Sequence, residues 1–215
     1  MEQRTSRLLK LFKIELPIIQ APMAGATTPE MVIAVAEAGG LGSLPGAQYT
    51  PEDLRQALET VRARTSRPIN VNFFSHQDPG DDPLRQAAWK ERLSRYYAEE
   101  GLDPEMRIAG TRRAPFGDAY CAVVEDFRPE IVSFHFGLPS PGLVDRVKRT
   151  GAKVISTATT VREAVWLQER GADAVIATGL EAGGHRGNFL ATDFSGQLGT
   201  MALVPQVVDA VGVPV

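Results

Sequence analysis

Short apolar runs alternate with amphipathic stretches along most of the chain, and glycine or proline stops nearly every run. Leu41–Leu44, Ile69–Phe74, Ile131–Gly137, Ala152–Ala158 and Ala174–Gly179 are too short for helices and read as strands buried on both faces. Pro17–Met23 opens the series as a first strand, and Val213-Pro214-Val215 begins another. Between the runs, apolar positions recur at helical spacing. Met31, Val32, Val35 and Ala36 follow Pro29, and Leu54, Leu58 and Val61 follow a Thr50 cap with the early acids Glu52 and Asp53. Pro141–Thr150, Thr160–Arg170 and Thr200–Val211 continue the pattern. Strands alternating with helices predict an α/β fold with a parallel sheet and helical crossovers. Six strands and the start of a seventh fit an incomplete (β/α)8 barrel, since a whole one takes about 250 residues. The chain is expected to stop inside the barrel.

The alternation breaks between Ser75 and Pro129, where charge and proline are frequent. Pro83–Glu100 reads as an exposed amphipathic helix carrying Trp89, Tyr96 and Tyr97, and Gly117–Phe127 as a second helix. An insertion of this size on the loop face is either a lid over a site or an elaboration.

Composition narrows the class. The 215 residues are 43% hydrophobic and 23% charged, ordinary for a globular protein, and a net charge of −3 leaves no footprint for nucleic acid or anionic membrane. The single Cys121 rules out an internal disulfide, which fits a reducing compartment, and its apolar helical setting predicts an inert buried thiol. No run reaches the ~20 apolar residues of a membrane span. Lys10, Lys13 and Glu15 interrupt what would be a signal peptide's apolar core. A soluble cytoplasmic protein is expected, with homo-oligomerisation left open.

Candidate chemistry concentrates in Gly171–Gly187, GADAVIATGLEAGGHRG. A buried strand passes there into a glycine-rich loop at its C-terminal end, where α/β proteins place their ligands. Adjacent glycines admit a flat ligand to the backbone, and His185 among them is a candidate acid or base. Gly40–Gly46 (GLGSLPG) superficially evokes a dinucleotide fingerprint, but it follows a helix instead of linking strand to helix. Walker-type, metal-ligand and nucleophile-elbow spacings are absent. His76 reads as a solvated loop residue. His135 alternates with Phe134 and Phe136, so it faces the barrel interior if they face the helices; it is either a hydrogen-bonded core histidine or a substrate contact.

The motifs APMAG (21–25), AEAGGLGSL (36–44), NVNFF (70–74), VSFHFGLP (132–139), STATT (156–160), EAGGHRG (181–187) and PQVVDAV (205–211) follow one another as in the nitronate monooxygenases, formerly called 2-nitropropane dioxygenases. The chain resembles that family over nearly all its length outside the 75–129 insertion. EAGGH alone is shared with flavin-dependent enoyl-acyl-carrier-protein reductases, while HFGLP and STATT favour the monooxygenases.

The resemblance implies a TIM barrel that binds flavin mononucleotide (FMN) and oxidises alkyl nitronates with dioxygen. On the family's pattern Ala21, Pro22 and Met23 pass beside the flavin ring, Asn72 hydrogen-bonds it, and the 178–184 loop, with Gly183 and Gly184, closes over it. His185 takes the place of the family's catalytic base. Met23, Phe73 and Phe136 are expected to line an apolar pocket. Thr178 departs from the glutamine of many members and is a shorter donor. The family's phosphate-cradling segments follow the position of Val215, so the 1–215 chain is expected to hold the flavin poorly. The alternatives are an enoyl-thioester reductase on the same barrel and a non-catalytic truncated barrel.

Overall fold

The computed structural model describes residues 2–77, 80, 82–103, 106 and 114–215. Five strands, β1 (Gly42–Pro45), β2 (Ile69–Phe74), β3 (Ile131–His135), β4 (Lys153–Ala158) and β5 (Ala174–Ala177), lie side by side in chain order, every pair parallel. Sequential parallel strands with helical crossovers are the arrangement of an incomplete (β/α)8 barrel. The helices are α1 (Glu2–Phe12), α2 (Pro29–Glu37), α3 (Pro51–Arg62), α4 (Pro83–Glu99), α5 (Asp118–Phe127), α6 (Pro141–Arg149), α7 (Val161–Glu169) and α8 (Thr200–Ala210). Prolines and threonine caps start several of them where expected. Thr50 accepts from the Asp53 N–H at 3.1 Å and Thr160 from the Glu163 N–H at 3.2 Å.

The expected first strand is reduced to one bridge. Ile19 pairs with Leu41, through Leu41 N–H to Ile18 O and Gln20 N–H to Leu41 O, both 2.9 Å. Pro17 and Pro22 lack the N–H groups that would lengthen the ladder. At the other edge Val175 N–H donates to Pro214 O at 2.9 Å, so the 213–215 stub does meet β5. Helix α1 was not foreseen. Its Phe12, with Ile14, packs on Leu41, Ile131, Ile155 and Ala174 towards the N-terminal ends of the strands.

The outer face of the sheet builds two further cores. Val71, Phe73, Val132 and Phe134 meet Leu54 and Leu58 of α3 and Tyr120 and Val124 of α5. Ala158 and Val175 meet Leu167 of α7 and Leu203 and Val207 of α8. The 75–129 segment therefore divides. Phe116 and α5 are part of the barrel's core, because Tyr120, Cys121, Val123 and Val124 form an apolar face. Cys121 is a free buried thiol whose pKa burial raises. Residues 77–112 form a separate unit containing α4, none of whose side chains is buried. Residues 78, 79, 81, 104, 105 and 107–113 lie outside the described residues. Among the described residues no helix is long and apolar enough to cross a membrane.

Packing accounts for the glycines of the 40–46 motif. A Cβ at Gly42 would collide with the Val32 backbone carbonyl of α2, and one at Gly46 would lie 2.7 Å from Phe73 Cε1. These glycines let α2 and β2 approach β1 closely, which is a structural use and not a phosphate site. Gly42→Ala in the complete protein is expected to lower stability by about 1–3 kcal/mol through overpacking. The urea midpoint checks this, and an unchanged midpoint would show that α2 shifts freely.

Candidate active site

Strand β2 alternates cleanly. Ile69, Val71 and Phe73 enter the outer core, so Phe73 does not line the mouth as expected; Asn70 and Asn72 point inward. Asn70 Nδ2 donates to Ser43 Oγ at 3.1 Å and Ser133 Oγ at 2.9 Å, and Asn72 Nδ2 donates to the same Ser133 Oγ at 2.9 Å. Asn70 Oδ1 is buried without a partner. Asn72 is half-buried and no described residue donates to its Oδ1. Gln20 steers the segment beside this cluster. It accepts from Ser43 N–H at 3.0 Å and donates to Thr27 Oγ1 at 2.9 Å and to Ala21 O. Met23 N–H donates to Thr27 Oγ1 at 3.1 Å, leaving Ala21 and Met23 exposed and Pro22 half-buried at the mouth.

The three histidines gather around two phenylalanines. His135 faces inward at the end of β3. Its Nε2 lies 3.1 Å from His185 O and its Nδ1 3.2 Å from Thr157 Oγ1. A carbonyl only accepts, so the proton sits on Nε2 and the threonine hydroxyl donates to Nδ1. Both nitrogens are thus occupied by the protein. Burial lowers the His135 pKa, against the opposing effect of its bond to the His185 carbonyl. The His185 ring is exposed, lies 5.2 Å from Phe74 and 6.0 Å from Phe136, and bonds no described residue through either nitrogen. His76 is not the solvated residue expected. It is half-buried, 6.2 Å from Phe74 and 6.0 Å from Phe136, and its Nδ1 is buried without a partner. Phe74, one place beyond the outward Phe73, supplies the apolar contact that drew it in.

Phe136 also differs from expectation. It does not continue the face of Phe134, because its φ of 70° and that of Gly137, 88°, end the strand in a left-handed turn. For a bulky side chain this conformation costs about 1–3 kcal/mol.

The loop beyond β5 is fastened at several points. Thr178 N–H donates to Ala158 O at 2.9 Å, and Leu180 N–H to Leu198 O at 2.8 Å. Glu181 accepts from Thr200 N–H at 2.9 Å; hydrogen bonds from its own amide and from Thr200 lower its pKa. Glu163, 1% exposed, accepts from Thr159 N–H and Oγ1, both at 2.7 Å, and from Phe189 N–H at 2.8 Å and Leu190 N–H at 3.2 Å. It was visible in the sequence as the fourth residue of Thr160-x-x-Glu163, a capping pattern that gave no hint of its reach. A Cβ at Gly187 would lie 2.8 Å from His135 Cε1, so this glycine lets the loop rest on the histidine. Gly183 and Gly184 have nothing within 4 Å of a built Cβ, and their N–H groups have no acceptor among the described residues. Among the described residues no three acidic, histidine or cysteine side chains are grouped to hold a metal.

The family model described as Nitronate monooxygenase matches residues 5–215. A Nitronate monooxygenase of Pseudomonas aeruginosa is 41% identical over 201 residues, covering 93% of this chain and 57% of that protein. One from Paraburkholderia phytofirmans is 40% identical over 197 residues, covering 91% and 54%. Among solved structures, nitroalkane oxidase from Streptomyces ansochromogenes superposes with a TM-score of 0.81 at 37% identity, covering 97% of this chain and 59% of its own. FabK from Thermotoga maritima gives 0.68 at 29% identity, covering 97% and 52%. The chain thus spans a little over half the length of the curated relatives it matches.

The lowered pKa of His135 has a stability consequence. An unfolded histidine titrates near 6.5, above the folded ring, so the unfolded state gains its proton first as the pH falls. This contribution is present above about pH 6.5 and is lost progressively below it, until the folded ring itself is protonated. His135→Gln in the complete protein should therefore show a shallower loss of urea midpoint between pH 7 and 5 than wild type. Equal slopes would assign the acid sensitivity elsewhere.

Proposed function

The chain belongs to the nitronate monooxygenase family, and from that premise we propose that the complete protein oxidises alkyl nitronates with dioxygen, using FMN held at the mouth of the barrel. The observation that carries this reading is His185. Its carbonyl is held by His135 while its exposed ring, like the neighbouring amides of Gly183 and Gly184, has no hydrogen-bond partner among the described residues.

The residues present fit a flat, hydrogen-bonding ring system. Asn72 Oδ1 has capacity to accept from its polar edge, and the bare Gly183–Gly184 backbone offers N–H donors with no Cβ in the way. Ala21, Pro22 and Met23 supply the apolar flank, and Thr178 stands at the loop's root. FMN, when bound, supplies the redox chemistry between nitronate and dioxygen. The protein's own part is proton transfer and positioning. A nitroalkane is a weak carbon acid, and an imidazole is a suitable base for its α-proton near neutral pH. His185 takes that proton, and Phe74 and Phe136 provide the apolar surface beside it. His135, with both nitrogens engaged, holds the base in place instead of contacting substrate.

His185→Asn in the complete protein keeps polarity and size but cannot accept a proton at neutral pH. Activity on neutral nitroalkanes is expected to fall by a factor on the order of 10²–10⁴. Oxidation of the pre-formed nitronate, whose proton is already gone, and the flavin absorbance should stay near wild type. Equal loss on both substrate forms would refute the base assignment. Nicotinamide consumption with an enoyl thioester, and no nitronate-dependent oxygen uptake, would point to the reductase.

A further inference from the structure

We propose that Phe136 selects the alkyl chain of the nitronate, an inference that rests on the function proposed above. The starting point is its backbone. Phe136 is a bulky residue with φ of 70°, followed by Gly137 at 88°. Glycine would adopt that conformation freely, whereas a phenylalanine persists in it only where the surroundings enforce it.

They do so from both neighbouring strands. Ser75, just past β2, donates its N–H to His135 O at 2.9 Å, and its Oγ lies 3.0 Å from His135 O and 3.3 Å from Phe136 O. Ser156 of β4 places its Oγ 3.1 Å from Phe134 O and 2.7 Å from Gly137 O. Four successive carbonyls thus share three donors, the Ser75 N–H and the hydroxyls of Ser75 and Ser156. Behind them the Phe189 ring closes on Gly137, where a built Cβ would lie 3.0 Å from it. The whole turn is over-determined, and strain of that kind concentrates at ligand clamps.

What the turn achieves is the placement of one ring. Phe136 stands edge-on to Phe74 (5.4 Å, 73°), His76 (6.0 Å, 81°) and His185 (6.0 Å, 87°). It shares with Phe74 the distinction of meeting all three histidines, since His135 lies 4.5 Å away as well. An extended residue 136 would carry its side chain back along the face of Phe134 into the outer core. The left-handed turn sends it to the mouth instead, where it is only half-buried. An alkyl group on the carbon that His185 deprotonates has Phe74 and Phe136 as its apolar wall, and the extent of that wall sets which chain lengths gain from it.

The test uses the complete, flavin-loaded protein and the nitronates of nitroethane through nitrohexane. In wild type kcat/KM is expected to climb by about fourfold for each methylene group the wall covers. In F136A and F136G that climb should flatten to less than about twofold per methylene, with flavin absorbance retained. F136L should fall between. F136G should also melt a few degrees above F136A, the order a left-handed backbone requires and an extended one does not. If F136A does not fold, F136G carries the chain-length measurement. An active wild type whose chain-length dependence survives in these variants overturns the assignment alone. A wild type with no nitronate-dependent oxygen uptake overturns the proposed function, and this assignment with it.

Discussion

A carboxylate removed from water is costly unless donors replace its hydration, and at Glu163 the donors are neutral groups from two separate loops. Three backbone amides and a threonine hydroxyl converge on it. Because the charge cannot go unsatisfied, the Thr159 turn after β4 and the Phe189–Leu190 stretch after β5 must stay together. The second of these has almost no regular structure of its own, since α8 begins only at Thr200. Fixing it brings Phe189 against Trp166 at 5.0 Å and over Gly137, and so supports the left-handed end of β3. Residues from three strand ends are thereby braced through one side chain at the start of α7.

The two inward histidines divide the work between them. His135 is committed to the fold, with a tautomer dictated by one carbonyl and one hydroxyl and a ring that burial keeps from charging easily. His185 contributes its main chain to that contact and keeps its imidazole clear. Among the described residues, one of the two rings is thus bonded through both nitrogens and the other through neither.

Local pattern made the strands and most helices legible, since apolar runs and caps report on neighbours a few residues away. The candidate base was also legible, through glycines flanking a histidine at a strand end. What escaped depended on contacts distant in sequence or on single backbone angles. Helix α1 carries no strong punctuation, and its Phe12 is explained only by Leu41, Ile131 and Ile155. Alternation on β2 was visible, yet which parity faced the mouth was not, so Phe73 was expected where Phe74 stands. A positive φ at Phe136 leaves no mark in composition or periodicity. His76 looked solvated because its neighbours are polar, while the rings that shelter it arrive from β2 and β3. Pro17 and Pro22 lie inside the first apolar run, and their missing N–H groups curtail the strand it predicts.

The hydrogen bond from His135 to the carbonyl of residue 185 uses an atom that every amino acid possesses. The support of the loop is therefore indifferent to the side chain it presents. A carboxylate, an amide or a thiol installed at position 185 would leave that main-chain contact intact. A barrel mouth arranged in this way separates the question of where a group stands from the question of what that group does, and new proton chemistry can be tried at one residue while its geometry is supplied by others.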